Sequence, residues 1–473
     1  MKSSPPEPTN STEVLTSGQS GDTKAQTWKV GTLSYNFSGL RILFALLLAG
    51  DFAWAMRDRA VGPIAQLMLR GLHAPDLVVG LLLSSLPTAL GLLIGPIVSM
   101  KSDRHRGRWG RRIPFLIFSA PFAALSMFGL AFTPWLGIEL NRMLGAWSPG
   151  VIAVSIGVFV VFWTIFDLAG VVANSVFGGL VNDVVPRELL GRFFGLFRIV
   201  SLIAGVIFTY WLMGSAEEHF AAIFVSTGLL YGVGFTWMCF KVKEGEYPPP
   251  EPFTEQGTSR WRNTIAVFKE FFRECFKNPY YLWLFAALTF CNVCFGPFNS
   301  FSVFYAKSIG MSMDSYGKYL ALTYAISLAL SYKLGAWSDR FHPLRTCIPT
   351  IGLYAAVMLW GGFFATTTTT FAIGFVLHGV LSGTFFTVSS SLGQRLFPKE
   401  KFAQFGSGSG LFGSVFYLSV VPLSGYFLDR TGHIYRHTFT IGGVFALLGF
   451  VSLIVVHSKF MKLGGPKNYM APE

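Results

Sequence analysis

The chain has 473 residues, of which 52% are hydrophobic and only 13% are charged, and its mean hydropathy is +0.51. Soluble proteins carry about a quarter charged residues, so this composition excludes a soluble multidomain enzyme and indicates several membrane-spanning segments. The net charge of +13 does not indicate a nucleic-acid partner, because the basic residues alternate with apolar spans.

Membrane spans recur along the chain after a polar beginning. Residues 1–39 are rich in Ser, Thr, Pro and Gly and lack an apolar run, which predicts a disordered cytosolic tail. Runs long enough to cross about 30 Å of hydrocarbon then follow. The predicted spans are 40–66, 77–100, 113–133, 151–176, 190–213, 220–240, 280–306, 315–335, 347–366, 371–393, 405–427 and 438–457.

These spans fall into two sets of six. They predict an N-terminal six-helix bundle over 40–240, a cytosolic linker with an interfacial helix over 241–279, a C-terminal six-helix bundle over 280–457 and a cytosolic tail over 458–473. The predicted fold is therefore an all-α membrane protein with twelve transmembrane helices in two six-helix halves.

The basic residues indicate how the helices are oriented. With both termini in the cytosol, most of the 37 Lys and Arg residues fall on the cytosolic side, and the densest run has six of them in the twelve positions 101–112. This predicts a multi-pass protein of a bacterial inner membrane. The triplet Ser-Asp-Arg follows the second span at 102–104 and the eighth at 338–340, a weak repeat that is typical of transporters with their site between two halves.

The sequence carries no motif for catalysis. A P-loop, an HExxH motif and a nucleophile elbow are all missing, so we do not predict an enzyme, and uphill transport requires an ion gradient. Cys291 and Cys294 form a CxxC inside an apolar span without a second ligand pair, so neither a metal site nor a cofactor is predicted.

Three stretches of the first half resemble a known family. The string SDRHRGRWGRRIPF at 102–115, preceded by Gly95 and Pro96, resembles the loop between helices 2 and 3 of major facilitator sugar symporters. Its paired arginines are similar to those of the glycoside–pentoside–hexuronide cation symporters and the sucrose–proton symporters. GDFAWA at 50–55 resembles helix 1 of both groups, and FWTIFDLA at 162–169 resembles helix 4. The resemblance implies a major facilitator that moves a glycoside or small oligosaccharide with a cation.

Two carboxylates lie inside apolar spans. An ionised Asp at mid-membrane costs about 2.5–3.5 kcal/mol on insertion scales, so such residues usually face a cavity and serve a function. Asp167 has no cation within a turn, and we expect it to bind and release the coupling proton, the alternative being a structural hydrogen bond between helices. The resemblance implies that Asp167 also binds sugar and that Asp51 accepts hydrogen bonds from sugar hydroxyls; a packing role is the alternative for Asp51.

Further residues are candidates for substrate binding. Trp54 could stack on a sugar ring, or it could be a core or lipid-facing residue. In the triplet Arg57-Asp58-Arg59, either Arg57 or Arg59 could pair with Asp167 across the cavity, or the triplet could be solvated near the outer surface. From the resemblance Arg192 matches a sugar-binding arginine, and the remaining candidates in span 7 are Asn292 and Asn299.

A charged cluster is predicted to form a cytosolic gate. Charged pairs at helix ends can lock the two halves together and break when the protein reopens. The alternative is that these basic residues only fix the topology. The predicted gate residues are Asp103, Arg104, Arg108, Arg111, Arg112, Asp339 and Arg340.

The second span favours protons over sodium as the coupling ion. In the melibiose-type branch of the symporters that this chain resembles, the second helix carries two acids that bind Na⁺. This chain has Gly91 and Gly95 at the matching positions and no carboxylate in the span. We therefore expect a proton-coupled symporter whose partners are a saccharide substrate and membrane lipid. The alternatives are a major facilitator for a nucleoside, drug or organic anion, and a non-transporting membrane assembly factor.

Overall fold

The computed structural model describes residues 27–247, 272–398 and 401–472. In this part of the chain eleven helices are long and apolar enough to cross a membrane. A further long helix, Met313–Phe341, is not among the eleven and lies where the eighth span was predicted. That helix is less apolar because Tyr, Ser and Lys residues interrupt it. The predicted all-α membrane fold is confirmed.

We number the long helices in chain order. They are α1 (Phe37–Gly71), α2 (Asp76–Arg104), α3 (Ile113–Ala131), α4 (Val151–Val184), α5 (Leu190–Ile207, continued by turns to Ser215), α6 (Phe220–Lys241), α7 (Pro279–Ser308), α8 (Met313–Phe341), α9 (Pro343–Phe364), α10 (Thr368–Leu396), α11 (Phe402–Arg430) and α12 (His437–Lys462). Short helices follow α3 at Thr133–Leu144 and α12 at Gly465–Asn468.

Helix α7 is broken in its middle. Its first part, Pro279–Val293, ends one turn before its second part, Gly296–Ser308, begins. Pro297 has no N–H group to continue the helical hydrogen bonds, which accounts for the break. Asn292 and Asn299 lie on either side of it.

The helices pack as two groups that meet mainly along three pairs of helices. Within the first group α4 packs on α2 and α3, and within the second α12 packs on α7 and α9. Between the groups α1 contacts α7, α2 contacts α11, and α5 contacts α8. These six helices form the interface between the halves.

The bundle has a basic end and a distal end. The basic end carries residues 101–112, and the distal end is the opposite one, at which α1, α5, α7 and α11 finish. The described hydrogen bonds between the halves concentrate in the distal part of the bundle. They join Asp76 and Leu77 to Asp429, Ser85 to Leu418, Arg70 to Phe304, Gln66 to Asn299 and Arg59 to Tyr324.

The predicted disordered tail over 1–39 is wrong for its last third. Strands β1 (Trp28–Val30) and β2 (Leu33–Tyr35) form a hairpin in which Trp28 pairs with Tyr35, and α1 begins at Phe37. Gly31 takes a φ of +56° in the turn, which a side chain would disfavour. Residues 1–26 lie outside the described part of the chain.

The segments after the two bundles are described in part. Within the predicted tail over 458–473, α12 continues to Lys462, and Tyr469 donates its hydroxyl to the carbonyl of Leu396 at 2.7 Å. In the linker over 241–279, α6 ends at Lys241 and α7 begins at Pro279, and the predicted interfacial helix falls largely on 248–271, outside the described residues.

Candidate functional site

Asp51 lies on α1, and its side chain is fully buried in the protein. Its side chain is 1% exposed, and its Oδ2 atom has no hydrogen-bond partner in the described part of the chain. A buried carboxylate oxygen without a donor is costly when it is charged. Protonation removes that charge, so Asp51 can hold a proton at this position.

Trp54 lies one turn beyond Asp51 and is part of the core of the first half. Its ring stacks on Phe177 at 5.3 Å between centroids, and its Nε1–H donates to Asp58 at 3.0 Å. The ring is only 9% exposed, because Tyr231 and Phe235 of α6 also pack against it. In this conformation Trp54 has little free surface on which a sugar ring could stack.

Arg57 is a buried cation that donates hydrogen bonds to the exposed carboxylate of Asp58. Its side chain is 2% exposed, and its Nε and Nη2 atoms donate to Oδ1 of Asp58 at 3.1 and 2.7 Å. The guanidinium lies 4.4 Å from the ring centre of Trp54 and 4.6 Å from that of Tyr231. Asp58 itself is 50% exposed. Arg57 is therefore neither solvated nor bonded to Asp167, because the neighbouring Asp58 accepts its hydrogen bonds, whereas Asp58 is exposed.

Asp167 lies on α4 within electrostatic range of Arg57. It is half-buried, and its Oδ2 atom is enclosed without a hydrogen-bond partner among the described residues. Nη1 of Arg57 is likewise a buried donor with no acceptor. An acceptor and a donor, both unsatisfied, thus lie near each other in the core of the first half.

The remaining predicted substrate residues lie on α5 and α7. Arg192 is in the first turns of α5, and its side chain lies outside the described part. Nδ2 of Asn292 donates to the carbonyl of Leu288 in its own helix at 2.7 Å. Asn299 lies at the interface between the halves, where its carbonyl accepts a hydrogen bond from Gln66 of α1 at 3.1 Å.

A buried hydrogen-bonded chain continues from Asn299 into the second half. Its Oδ1 lies 3.0 Å from Nε2 of His378, and Nδ1 of His378 lies 2.9 Å from the hydroxyl of Tyr354. An amide oxygen only accepts, so Nε2 of His378 carries the hydrogen and Nδ1 accepts from Tyr354. His378 is 3% exposed and is bonded on both nitrogens, as expected of a packed histidine.

The predicted gate residues bind mainly within the first half. Arg111 forms two hydrogen bonds with the carboxylate of Asp183 at 2.6 and 3.0 Å, and Arg112 bonds the same carboxylate at 2.6 Å. Arg112 also reaches Asp103 at 2.9 Å. Burial opposes the charge of Arg111, but the bonds to Asp183 outweigh it and raise the pKa of Arg111. Because Asp183 ends α4, these bonds hold the loop to its own half and do not join the two halves.

Glu244, which the sequence analysis did not identify, completes this cluster. Its carboxylate accepts hydrogen bonds from the backbone N–H groups of Arg111, Arg112 and Ile113 at 2.7–3.0 Å and so caps the start of α3. Tyr247, in the same segment, lies with its ring centre 4.1 Å from the guanidinium of Arg111.

The other four predicted gate residues lie at the ends of α2 and α8 or in the loop after α2. Arg104 is half-buried at the end of α2, and Arg108 is exposed. Arg340 lies over the ring of Phe341 at 5.3 Å, and the side chain of Asp339 lies outside the described part.

The distal end contains a polar cluster that the sequence analysis also missed. The carboxylate of Asp429 accepts from the backbone N–H groups of Asp76 and Leu77 at 2.8 and 2.9 Å. Asp76 is 1% exposed, and its oxygens bond His433 at 2.7 Å and Tyr435 at 3.1 Å. This distal clamp joins α2 to α11 and to the loop after α11. These partners are more than 350 positions apart in the chain, so spacing in the sequence gives no signal of it.

Comparison with known proteins gives the family. The chain matches the Major Facilitator Superfamily over residues 42–356 and 298–467 and belongs to it. This family indicates an integral multi-pass membrane transporter of small molecules rather than an enzyme.

Solved structures share the fold at low identity. A bacterial homologue of the human lysosomal transporter Spinster, in an inward-facing and occupied conformation, matches with a TM-score of 0.62 and 14% identity, over 92% of this chain and 98% of that one. A D-xylose–proton symporter matches at 0.58 and 15%, over 92% and 98%. A bacterial homologue of the iron transporter ferroportin, outward-facing with soaked iron, matches at 0.55 and 19%, over 88% and 99%.

Proposed function

We propose that this transporter is a proton-coupled symporter that moves a glycoside or small oligosaccharide by alternating access. The observation that carries the proposal is the pair of membrane-embedded acids, Asp51 and Asp167, each with an enclosed Oδ2 atom that lacks a donor among the described residues. In such surroundings the neutral, protonated acid is favoured. A carboxyl group that gains and loses a proton there can couple transport to a proton gradient.

Asp167 is the proposed coupling residue because Arg57 is near it. When Asp167 is protonated, Arg57 binds Asp58 alone, which is the arrangement observed. When Asp167 releases its proton, its new charge attracts the free Nη1 of Arg57. The guanidinium would then share its hydrogen bonds between Asp167 and Asp58. A change in the protonation of Asp167 would therefore alter the hydrogen bonds of the exposed carboxylate of Asp58.

Substrate is proposed to bind at the interface beside these residues. Asp58 is half exposed and Asn299 is exposed on the facing helix α7, and both offer oxygen acceptors for sugar hydroxyls. The proposed site also includes the other substrate residues predicted from the sequence, which are Asp51, Arg57, Arg192 and Asn292. Trp54 takes part only if it separates from Phe177 in another conformation.

The uneven closure of the interface supports alternating access. The halves are bonded at the distal end, as expected of a state that is open to the other side. With the basic end in the cytosol of a bacterial cell, as the positive-inside rule predicts, this state faces inward and both termini are cytosolic. Sodium is not proposed, since α2 offers no acid between Asp76 and Asp103.

The test is uptake of labelled mono- and disaccharides into proteoliposomes under an imposed pH gradient, with a sodium gradient as the comparison. We expect accumulation only with the proton gradient. Asp167→Asn should lose accumulation and keep exchange of substrate across the membrane, because the amide cannot release a proton. The control is Glu139→Gln, at an exposed pair with Arg142. The proposal is wrong if Asp167→Asn accumulates sugar as strongly as the unaltered protein, or if no sugar is taken up.

A further inference from the structure

Arg59 is a cation at the interface whose positive charge is not neutralised. Its Nη1 donates to the hydroxyl of Tyr324 on α8 at 3.1 Å, and its guanidinium lies 4.7 Å from that ring. Its Nε also approaches the surface of α5 at Gly205. Among the described residues it forms no ion pair. The adjacent carboxylate, Asp58, is already bonded through one oxygen to Arg57 and through the other to Trp54.

Arg198 of α5 brings a second positive charge to the same place. It is exposed, and it lies seven positions before Gly205, so both occupy one face of the helix about 10 Å apart. Gly205 touches Tyr324 of α8, so this face is turned toward the second half. Arg59 approaches this same face at Gly205, and in the described part of the chain Arg198 has no acidic partner.

Two like charges at this depth are costly without a counter-charge. Arginine inside a membrane span usually pairs with an acid or faces a pathway for a charged solute. Here the nearby acid, Asp58, is bonded to a different cation, while Arg59 and Arg198 lie on helices at the interface between the halves. An anionic group between them would neutralise both and accept hydrogen bonds from their free N–H groups.

We propose that Arg59 and Arg198 form an anion subsite of the transport pathway, and that the transported solute carries a carboxylate or phosphate group. The inference rests on the proposed function, and it narrows the substrate from a neutral saccharide to an anionic derivative of one. Asp58 and Asn299 would contact the hydroxyl groups, and Asp167 would carry the proton, as in the proposed function. The anionic group would bind nearer to α5.

The experiment compares three probes of one carbon skeleton with the full-length protein in detergent. Glucose is neutral, gluconate carries a carboxylate and glucose 6-phosphate carries a phosphate. Binding is measured by calorimetry at fixed ionic strength, because surface charges would otherwise contribute. We expect one or both anions to bind at least about tenfold more tightly than glucose, which corresponds to about 1.4 kcal/mol. Which anion binds distinguishes carboxylate from phosphate.

Variants then locate the binding to this pair. Arg198→Gln should remove the preference for the anion, and Arg198→Lys should keep part of it, since the charge remains but the planar fork of donors is lost. Arg142→Gln, at an arginine that is 71% exposed and pairs with Glu139, is the matched control and should leave binding unchanged. The inference is overturned if glucose binds as tightly as both anions, or if Arg198→Gln keeps the full preference.

Failure of this inference can be told apart from failure of the proposed function. Proton-driven accumulation of glucose without selective anion binding would overturn the anion subsite and support the symporter. Anion binding that depends on Arg198, without any proton-driven uptake, would support the subsite and overturn proton coupling.

Discussion

The distal clamp permits a direct test of how the two halves are held together. Gly80 of α2 lies against the backbone of α11, and a Cβ atom placed on it would be 2.8 Å from Cα of Pro422 and 2.9 Å from the carbonyl oxygen of Val421. Backbone atoms cannot rotate away as a side chain can. Gly80→Ala therefore forces α2 and α11 apart at the distal end.

The size of the effect follows from these distances. Ordinary contact begins at 3.4 Å, so the helices must separate by about 3.4 − 2.8 = 0.6 Å. The same separation would stretch the bonds of Asp429 to the N–H groups of Asp76 and Leu77 from 2.8 and 2.9 Å to about 3.4 and 3.5 Å. Hydrogen bonds to charged groups contribute about 1.5–3 kcal/mol each. Losing half of two such bonds gives about 1.5–3 kcal/mol, or roughly a 10- to 100-fold shift toward the state with the distal end open.

The assay is the distance between spin labels at the distal end, one at Glu218→Cys and one at Thr369→Cys, measured in lipid nanodiscs. The five cysteines of the chain are buried, which limits labelling elsewhere. We expect Gly80→Ala to increase the population with the longer distance. Asp429→Asn should act in the same direction without any steric change, because it weakens the acceptor.

Gly91→Ala is the matched control, because it adds the same methyl group to α2 where nothing lies within 4 Å. It should leave the distances unchanged. If Gly80→Ala and Asp429→Asn both gave the distance distribution of the unaltered protein, the distal clamp would not be what holds this conformation.

Two further predictions concern the basic end. Asp183→Asn should lower the stability in detergent by about 2 kcal/mol, seen as a lower melting temperature, because Arg111 and Arg112 lose a shared and largely buried counter-charge; an unchanged melting temperature would contradict this. Burial and nearby positive charges lower the pKa of His342 to about 4, and its Nδ1 accepts from the N–H of Leu344 at the start of α9. The unfolded chain therefore binds the proton more readily, so this contribution is present above about pH 6.5 and is lost as the pH falls toward 4. His342→Asn should reduce that pH dependence of the melting temperature, since Asn can cap the helix without titrating.

The sequence predicted the helices well because the length of an apolar run is a local property. A span needs about twenty apolar residues wherever it lies, so the helices could be placed without knowing their neighbours. The eighth helix, the least apolar of the predicted spans, was still placed correctly. The hairpin of Trp28–Val30 and Leu33–Tyr35 was missed because two three-residue strands in a polar segment give too short a pattern.

The partners of charged residues were predicted less well. Arg57 was expected either to be solvated or to reach Asp167, and in the structure it bonds the adjacent Asp58 while three aromatic rings enclose it. The run at 102–112 was expected to join the halves, but Arg111 and Arg112 find Asp183 some 70 positions away in their own half. Which acid a given arginine binds depends on the rotation of its helix and on the geometry of the loops. Neither can be predicted from the spacing of residues along the sequence.

The amino-acid sequence by itself therefore determined the membrane class, the twofold division of the helices and the two intramembrane acids, because each of these depends on the cost of placing residues in hydrocarbon. Only the tertiary structure decided that Asp51 and Asp167 have oxygens without donors among the described residues, that Arg59 approaches the face of α5 that carries Arg198, and that Asp429 caps α2 from the other half. Those facts arise where helices distant in the chain approach within a few ångströms, and packing of the whole bundle fixes that approach.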